Sequence, residues 1–399
     1  EFDRKTLRES YSTALGGDTL RIQAKHDLLQ QFEFERKKEE SVGSRKSVGS
    51  EYVALMHFVH LEYIYQGKGH HGSVGASFGY EDRKSGGSVA TANSKLYKTS
   101  AWLVEYLDLT SKLEVGFGGR GEYQSITPSG VHAKASGNNP VDKVKQQAAD
   151  WSIATEVHYD LSDNLHFEGK LHRSIRLPSA EELYNQGPHL AAYRYEIGNQ
   201  DLPSELAHGI DARVQWKSKG LRFFIAPYYT LYERYIFPME TGSNNWSKEL
   251  PVYDAQATEA LVKGVEGEIK WNPWRTFSLY AGGDFVHATD LKTKQALPFI
   301  PPVTWVFGAD WNIAQLELGL EVDWRWAQNR TAPLEANTAE ALITNLYAIY
   351  PIINNFGIHK IFFGVDNVFD EHWRNHLSPI KKTSPEKGRQ FRLSWNMEF

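Results

Sequence analysis

The sequence predicts an all-β protein, an antiparallel barrel that crosses a membrane with its strands, and three observations predict it. Apolar and polar residues alternate with a period of two in about sixteen segments. Short turns and long polar loops alternate between these segments, as they do in outer-membrane barrels. The chain of 399 residues is rich in aromatics, with 12 Trp, 20 Tyr and 20 Phe, and barrels place such residues at the two membrane interfaces.

The last strand shows the alternation most clearly. From residue 391 onward a polar residue stands between each of the apolar residues Phe391, Leu393, Trp395, Met397 and Phe399. Successive side chains of a strand point to opposite faces, so this apolar row is expected to face lipid. The chain stops on an aromatic, and we expect another strand to close the open edge.

The same pattern recurs along the chain, mostly in segments near ten residues, which is about the length that a tilted strand needs to cross a bilayer. The clearest segments are 113–123, 151–160, 165–172, 210–216, 221–231, 265–271, 277–285, 303–311 and 316–326. Helical periodicity competes nowhere. Aromatics near strand ends are interpreted as interfacial girdles, with core packing as the alternative: Tyr123, Trp151, Trp216, Trp271, Trp324 and Trp326.

The connections predict which side of the membrane each loop occupies. Short turns are expected at 162–164, 217–220, 272–275 and 312–315. Long loops are expected at 124–149, 176–205, 236–259, 288–301, 327–339 and 368–388. Because the last strand runs down to the periplasm, counting back places 176–205 and 368–388 outside the cell. The same count makes 67–72 a periplasmic turn.

Composition excludes several other classes of function. A net charge of −5 with dispersed signs lacks the basic stripe that a nucleic-acid partner requires. There is no cysteine, hence no disulfide and no thiolate chemistry. No nucleophile elbow, H-E-x-x-H or Gly-rich phosphate loop supports catalysis, so we do not expect an enzyme. The first ten residues carry no signal peptide, so the chain is mature, trimmed or a fragment.

Two histidine motifs are weighed as metal sites and set aside. His70 and His71 are adjacent on a tight turn, where two rings seldom converge on one ion, and no ligand partner is near in sequence. His57 and His60 are an odd number of residues apart on one strand. They therefore lie on opposite faces and cannot share an ion within that strand.

Three blocks resemble TonB-dependent outer-membrane receptors. RSIRLPSAEELYNQGPHLAAYRYEIGNQDLPSE at 173–205 is similar to the family's R-x-P-x-x-x-E-L-Y segment, with following pieces like those of zinc and haem receptors. LPFIPP at 297–302 is a further match. VDNVFDEHWRNHLSPIKKTSPEKGRQFRLSWNMEF at 365–399 resembles the closing hairpin, in which Trp395 and Phe399 look like the signal read by the barrel-assembly machinery.

The resemblance implies a barrel of about 22 strands with an N-terminal plug and a TonB-contacting box. Residues 1–399 would be its C-terminal part of about sixteen strands, without the plug. The alternatives are a fragment, which we favour, and an unusually short barrel. The resemblance further implies that the protein lies in the outer membrane of a Gram-negative bacterium, in contact with its lipid. The implied protein partners are a TonB-type energy-coupling protein and an accessory surface lipoprotein.

The implied function is active uptake of a scarce metal or metal chelate, namely zinc, haem or a ferric siderophore, with no intrinsic cofactor. A passive porin or a structural barrel subunit of a larger envelope assembly is the alternative. The predicted ligand-binding residues in 176–205 are Tyr184, His189, Tyr193, Tyr195 and Glu196. Imidazole and carboxylate suit zinc, and His and Tyr suit haem iron. His372 and His376 form a second candidate metal set; the competing interpretation is that each histidine is a structural loop residue.

Overall fold

The computed structural model describes residues 2–35, 47–87, 92–129, 144–245 and 249–398, and it confirms the all-β class. One short helix, α1 (Ala180–Tyr184), is present among these residues, and no helix there is long and apolar enough to cross a membrane. The strands are β1 (Phe2–Leu15), β2 (Asp18–Glu35), β3 (Ser47–Gly67), β4 (His70–Gly87), β5 (Ser94–Thr110), β6 (Leu113–Pro128), β7 (Gln146–Ser162), β8 (Leu165–Arg176), β9 (Gln186–His189), β10 (Arg194–Ile197), β11 (Glu205–Ser218), β12 (Leu221–Asn245), β13 (Leu250–Trp274), β14 (Phe277–Asp290), β15 (Thr304–Ile313), β16 (Leu316–Arg325), β17 (Ala341–Asn354), β18 (Gly357–Asp366) and β19 (Gln390–Glu398).

The chain divides into two compact units. Unit 1 comprises Glu1–Val157, Lys170–Gly209 and Leu231–Ala260, and in it β1 to β6 pair in sequence order, each antiparallel to the next. Unit 2 comprises His158–Gly169, Ile210–Thr230 and Leu261–Phe399, and in it β14 to β19 pair in the same way. Unit 1 also holds the small β9–β10 hairpin.

The short turns are confirmed in position. Each turn has two residues, at 163–164, 219–220, 275–276 and 314–315; three of them lie within the predicted bounds, and the turn at 275–276 overlaps its predicted bounds, 272–275, by one residue. The turn after β11 requires a glycine, because Gly220 has a φ of +73°, in the left-handed region that side chains disfavour. In unit 2, the Lys217 N–H donates to the Asn164 carbonyl at 2.8 Å, which joins two of these turns.

One face of the unit 2 sheet is a continuous apolar surface. Leu320 lies opposite Leu346, and Phe363 lies opposite Leu393. All four side chains are exposed, and Leu393 is 77% exposed. An apolar face this open in a folded chain indicates an apolar surrounding, as predicted for lipid contact.

The last strand and the aromatic residues agree with the predicted alternation as far as the structure describes them. In β19, Phe391, Leu393 and Trp395 are all more than 60% exposed, whereas Phe399 lies outside the described residues. The expected strand on the other edge of β19 stays a prediction. Four of the proposed girdle residues are exposed, namely Tyr123, Trp151, Trp271 and Trp326.

Two sequence expectations were wrong. The predicted loop 236–259 is mostly strand, because β12 runs to Asn245 and β13 begins at Leu250. Apolar residues do not alternate with polar ones there, since Ile236 and Phe237 are adjacent in sequence and both are buried, so the period-two pattern that marks a strand disappears. Helical structure also occurs where none was expected, in α1 and in a 3₁₀ turn at Leu190–Ala192.

Candidate functional site

The segment between β8 and β11 begins with a capped helix. Ser179 precedes α1, and its hydroxyl accepts from the Glu182 N–H at 3.2 Å while the Glu182 carboxylate accepts from the Ser179 N–H at 2.8 Å. This reciprocal pair satisfies two backbone donors of the first turn. Arg176, the last residue of β8, reaches the same carboxylate at 2.8 Å. These contacts of Glu182 with Ser179 and Arg176 therefore fix the direction of the chain where it leaves β8.

The helix rests on the core of unit 1. The buried residues of this core are Ala92, Ile126, Ala180, Leu183, Tyr184, Leu202 and Ile236. Tyr184 is only 3% exposed, and its hydroxyl donates to the Val144 carbonyl at 2.8 Å. Burial raises the pKa of Tyr184 to about 12. The structure therefore places this predicted ligand residue in the core of unit 1.

The β9–β10 hairpin is organised around the carboxylate of Glu196. Its Oε1 accepts from Arg194 Nε at 2.7 Å and lies 2.9 Å from His189 Nδ1, and its Oε2 accepts from Asn185 at 2.5 Å. Burial acts to raise the pKa of Glu196, but the hydrogen bond with His189 and the charge of Arg194 outweigh it, and the pKa falls to about 2. Glu196 is thus a fixed anion at neutral pH.

His189 is the member of this cluster that solvent can reach. Its side chain is 41% exposed, whereas that of Glu196 is 14% exposed. Nδ1 faces Glu196, and within the described part of the chain Nε2 has no hydrogen-bond partner. A carboxylate that engages one imidazole nitrogen fixes the ring and directs the other nitrogen outward, as in carboxylate–histidine–metal arrangements.

The two other predicted ligand tyrosines, Tyr193 and Tyr195, lie in different environments beside the His189–Glu196 pair. Tyr193 is 49% exposed and occupies the left-handed region with a φ of +50°. Tyr195 pairs with Pro188 in the hairpin, and burial raises its pKa. The structure thus brings His189 and Glu196 together on one hairpin, places Tyr193 at its exposed turn, and leaves Tyr184 in the core.

His372 and His376 lie in different environments, although four residues separate them. His372 is exposed, and His376 is 2% exposed. Both ring nitrogens of His376 are engaged, since Nδ1 lies 3.0 Å from Thr338 Oγ1 and Nε2 lies 3.2 Å from Glu335 Oε1. This arrangement links the two loops 327–339 and 368–388 of unit 2. The metal assignment of the pair stays a prediction.

Glu335 is the centre of this second cluster, which we call the loop lock: Glu335, Thr338, His376 and Lys381. The Lys381 ammonium donates to Glu335 at 2.5 Å, and the N–H groups of Phe299 and Ala332 donate at 3.0 Å each. Burial acts to raise the pKa of Glu335, but the hydrogen bonds from His376, Lys381 and the backbone lower it to about 2. Burial also lowers the pKa of Lys381, and its bond to Glu335 offsets this only in part.

Sequence reasoning missed several residues of these clusters. Arg194 precedes Glu196 by two residues on one strand, so period-two spacing placed both on the same face and was a readable signal. The capping box of α1 was also readable from Ser179 and Glu182. Nothing in the sequence joins Glu335 to Lys381, which are 46 residues apart.

An antiparallel sheet with an exposed apolar face is the architecture of β-barrels that cross a membrane with their strands. Residues 2–368 match the family model for the TonB dependent receptor-like beta-barrel. The chain belongs to this family.

Three solved structures, of two transporters and one siderophore receptor, have the same fold. The copper transporter OprC matches with a TM-score of 0.83 at 16% identity, over 100% of this chain and 65% of that one. The FrpB iron transporter of Neisseria meningitidis, F5-1 variant, matches with 0.76 at 12%, over 99% and 64%. The siderophore receptor PirA of Acinetobacter baumannii matches with 0.70 at 15%, over 100% and 62%. The chain thus spans less than two thirds of the length of each.

Proposed function

We propose that this chain is the barrel part of an outer-membrane receptor that takes up a scarce metal ion or metal chelate, with energy supplied through a TonB-type protein. The plug that such coupling requires would be supplied outside residues 1–399. The terminal strand, including Trp395 and Phe399, would be read by the barrel-assembly machinery, and a surface lipoprotein would be an accessory partner. The location is the outer membrane of a Gram-negative bacterium.

Membership of the TonB-dependent family supports this proposal at the level of the barrel. The similar solved structures include a copper transporter, an iron transporter and a siderophore receptor. These neighbours support metals and metal chelates as the class of cargo. Among the zinc, haem and ferric siderophore candidates, the donor set of this chain favours an ion or chelate that accepts an imidazole nitrogen.

The observation that carries the proposal is the orientation of His189. Glu196 lies against Nδ1, and Nε2 projects from a half-exposed ring on the loop predicted to be extracellular. Because Arg194 and Asn185 also hold the carboxylate, the ring is positioned before any ligand arrives. A ligand that coordinates Nε2 therefore meets a prearranged donor, which lowers the ordering cost of binding.

Calorimetry with the purified protein tests the site. We expect His189→Ala to weaken zinc or haem binding at least tenfold. The matched control is His208→Ala, because His208 also pairs with a glutamate, Glu233, at 3.0 Å, and its side chain is similarly exposed at 45%. Identical isotherms for wild type and His189→Ala with both zinc and haem would refute the assignment of His189 as a ligand residue.

Uptake measurements test the receptor function independently of the site. Cells that depend on this protein should accumulate labelled zinc, haem or ferric siderophore only while the inner-membrane proton gradient is intact. An uncoupler should abolish that uptake. Uptake that persists with the uncoupler and rises linearly with solute concentration would instead identify a passive porin, and a barrel that transports none of the solutes would favour the structural role.

A further inference from the structure

Three side chains meet at the short-turn end of unit 1. Donor atoms of His71, Asp108 and Glu114 all lie within 4.8 Å of one another. Within the described ranges, this is the one group of three or more His, Asp or Glu side chains whose donor atoms come this close. The group lies on β4, β5 and β6, apart from the β9–β10 hairpin.

The strand register explains why these residues meet. His71 is paired with Tyr106, and Asp108 follows Tyr106 by two residues on β5, so both point to the same face. Asp108 is in turn paired with Glu114 of β6 on that face. Direct and diagonal cross-strand neighbours are about 5 to 8 Å apart at Cβ, within reach of one shared ion. These partners are 37 or more residues distant, which is why the sequence around His71 disclosed none.

The backbone holds the three strand ends in place. β3 and β4 are joined by a two-residue turn in which Gly69 has a φ of +76°. The Gly69 carbonyl accepts from the Asp108 N–H at 2.9 Å, so this turn is fixed beside β5. The ring of His71 stacks on Tyr106 with centroids 4.9 Å apart and an angle of 9° between the planes. The Tyr106 hydroxyl donates to Glu156 at 2.6 Å, which fixes the Tyr106 ring.

The two carboxylates of the group would be stabilised by a bound cation. Asp108 and Glu114 are like charges placed directly opposite, a destabilising arrangement in a sheet. Among the described residues neither carboxylate has a salt-bridge partner, whereas the neighbouring His70 is already paired with Glu105 at 2.9 Å. A divalent ion would neutralise both carboxylates and accept the lone pair of His71.

We propose that His71, Asp108 and Glu114 form a site for a divalent transition-metal ion of the zinc type. One imidazole nitrogen and two carboxylate oxygens suit zinc, with water as the fourth ligand. Ligand atoms of a tetrahedral zinc ion lie about 3.3 Å apart, given bond lengths near 2.0 Å. The two exposed side chains, His71 and Asp108, can close the remaining distance by rotation. The site lies on the side predicted to be periplasmic and does not depend on the proposed uptake function.

Zinc calorimetry on the purified full chain, in the presence of a competing chelator, tests the proposal. His71→Ala and Asp108→Asn should each weaken one zinc equivalent at least tenfold. The control is His70→Ala, which removes the adjacent imidazole and should leave that equivalent unchanged. Asp108→Asn keeps the shape of the side chain, so it reports on the site even where His71→Ala disturbs the turn.

A spectroscopic readout accompanies the titration. Cobalt(II) replacing zinc should give visible absorption bands of a four-coordinate site, and these should vanish in both variants and persist in His70→Ala. His189→Ala should not change these bands, which separates this site from the proposed uptake site. Unchanged zinc affinity and bands in His71→Ala, or equal losses in His71→Ala and His70→Ala, would overturn the proposal.

Discussion

The loop lock makes a quantitative prediction for Glu335→Gln. The Glu335 side chain is 7% exposed and the Lys381 side chain 4% exposed, so solvent screens their pairing little. The pKa of Glu335 falls from 4.5 to about 2 in the folded protein. At about 1.4 kcal/mol per pKa unit, ionised Glu335 stabilises the closed loops by about 3 kcal/mol. Removing one partner of a buried ion pair costs a similar amount, about 3–5 kcal/mol.

Hydrogen–deuterium exchange of the loops 327–339 and 368–388 measures this energy. Glu335→Gln should open these loops roughly a hundredfold more often, which is about 3 kcal/mol in the opening equilibrium. The matched control is Glu340→Gln, because among the described residues exposed Glu340 accepts only from Trp324 Nε1, at 2.9 Å, and an amide oxygen can replace it. The control should change exchange by less than about 0.5 kcal/mol.

Acidification should reproduce the effect of the substitution. Because the folded pKa of Glu335 lies below its ordinary value, its stabilisation is complete above about pH 4.5 and is lost as the pH falls toward about 2. Wild-type loops should therefore lose protection in that window, while Glu335→Gln loops should change little. Equal loop exchange in wild type and Glu335→Gln at neutral pH would refute the loop lock.

Two further predictions concern the strands and the loops. Leu393→Arg, on the exposed apolar face of β19, should destabilise the folded barrel by about 2–4 kcal/mol if the residue lies near the membrane midplane. Ser394→Arg, on the opposite face, should be tolerated; equal loss of heat-modifiable migration on gels in both variants would contradict the facing. Cysteines at Asn244 and Asn337 should be labelled in intact cells by an impermeant reagent, and one at Asp163 should not; labelling at Asp163 alone would invert the assigned sides.

The strands that the sequence predicted well are those whose two faces differ in polarity. Leu316 to Arg325 alternates throughout, because one face of β16 is apolar and the other carries Glu317, Glu321 and Asp323. In the outer parts of β12 and β13 apolar and polar residues do not alternate, as the adjacent buried residues Ile236 and Phe237 show, so strand pairing there is not visible in the pattern. The register between two distant segments determines such pairing, and it produces no alternation of apolar and polar residues in the sequence of either segment.

The clusters were predictable only where their members are close in sequence. Glu196, Arg194 and His189 fall within one hairpin of twelve residues, from Gln186 to Ile197, so the donors could be recognised together. The His71 group joins three strands through cross-strand pairs, and recognising it requires the register of β4 with β5 and of β5 with β6. Local pattern reasoning contains no such information.

Burial, rather than residue type, separates the two histidine–glutamate pairs of the loops. Glu196 and Glu335 both have pKa values near 2, and each lies close to a histidine and a basic side chain. The His189 side chain is 41% exposed, and one of its ring nitrogens has no partner among the described residues, whereas the His376 side chain is 1% exposed and both of its ring nitrogens are engaged. The same chemical set therefore presents a donor to solvent in one loop and joins two loops in the other. Of the two histidines, His189 alone can meet a solute without first breaking the fold.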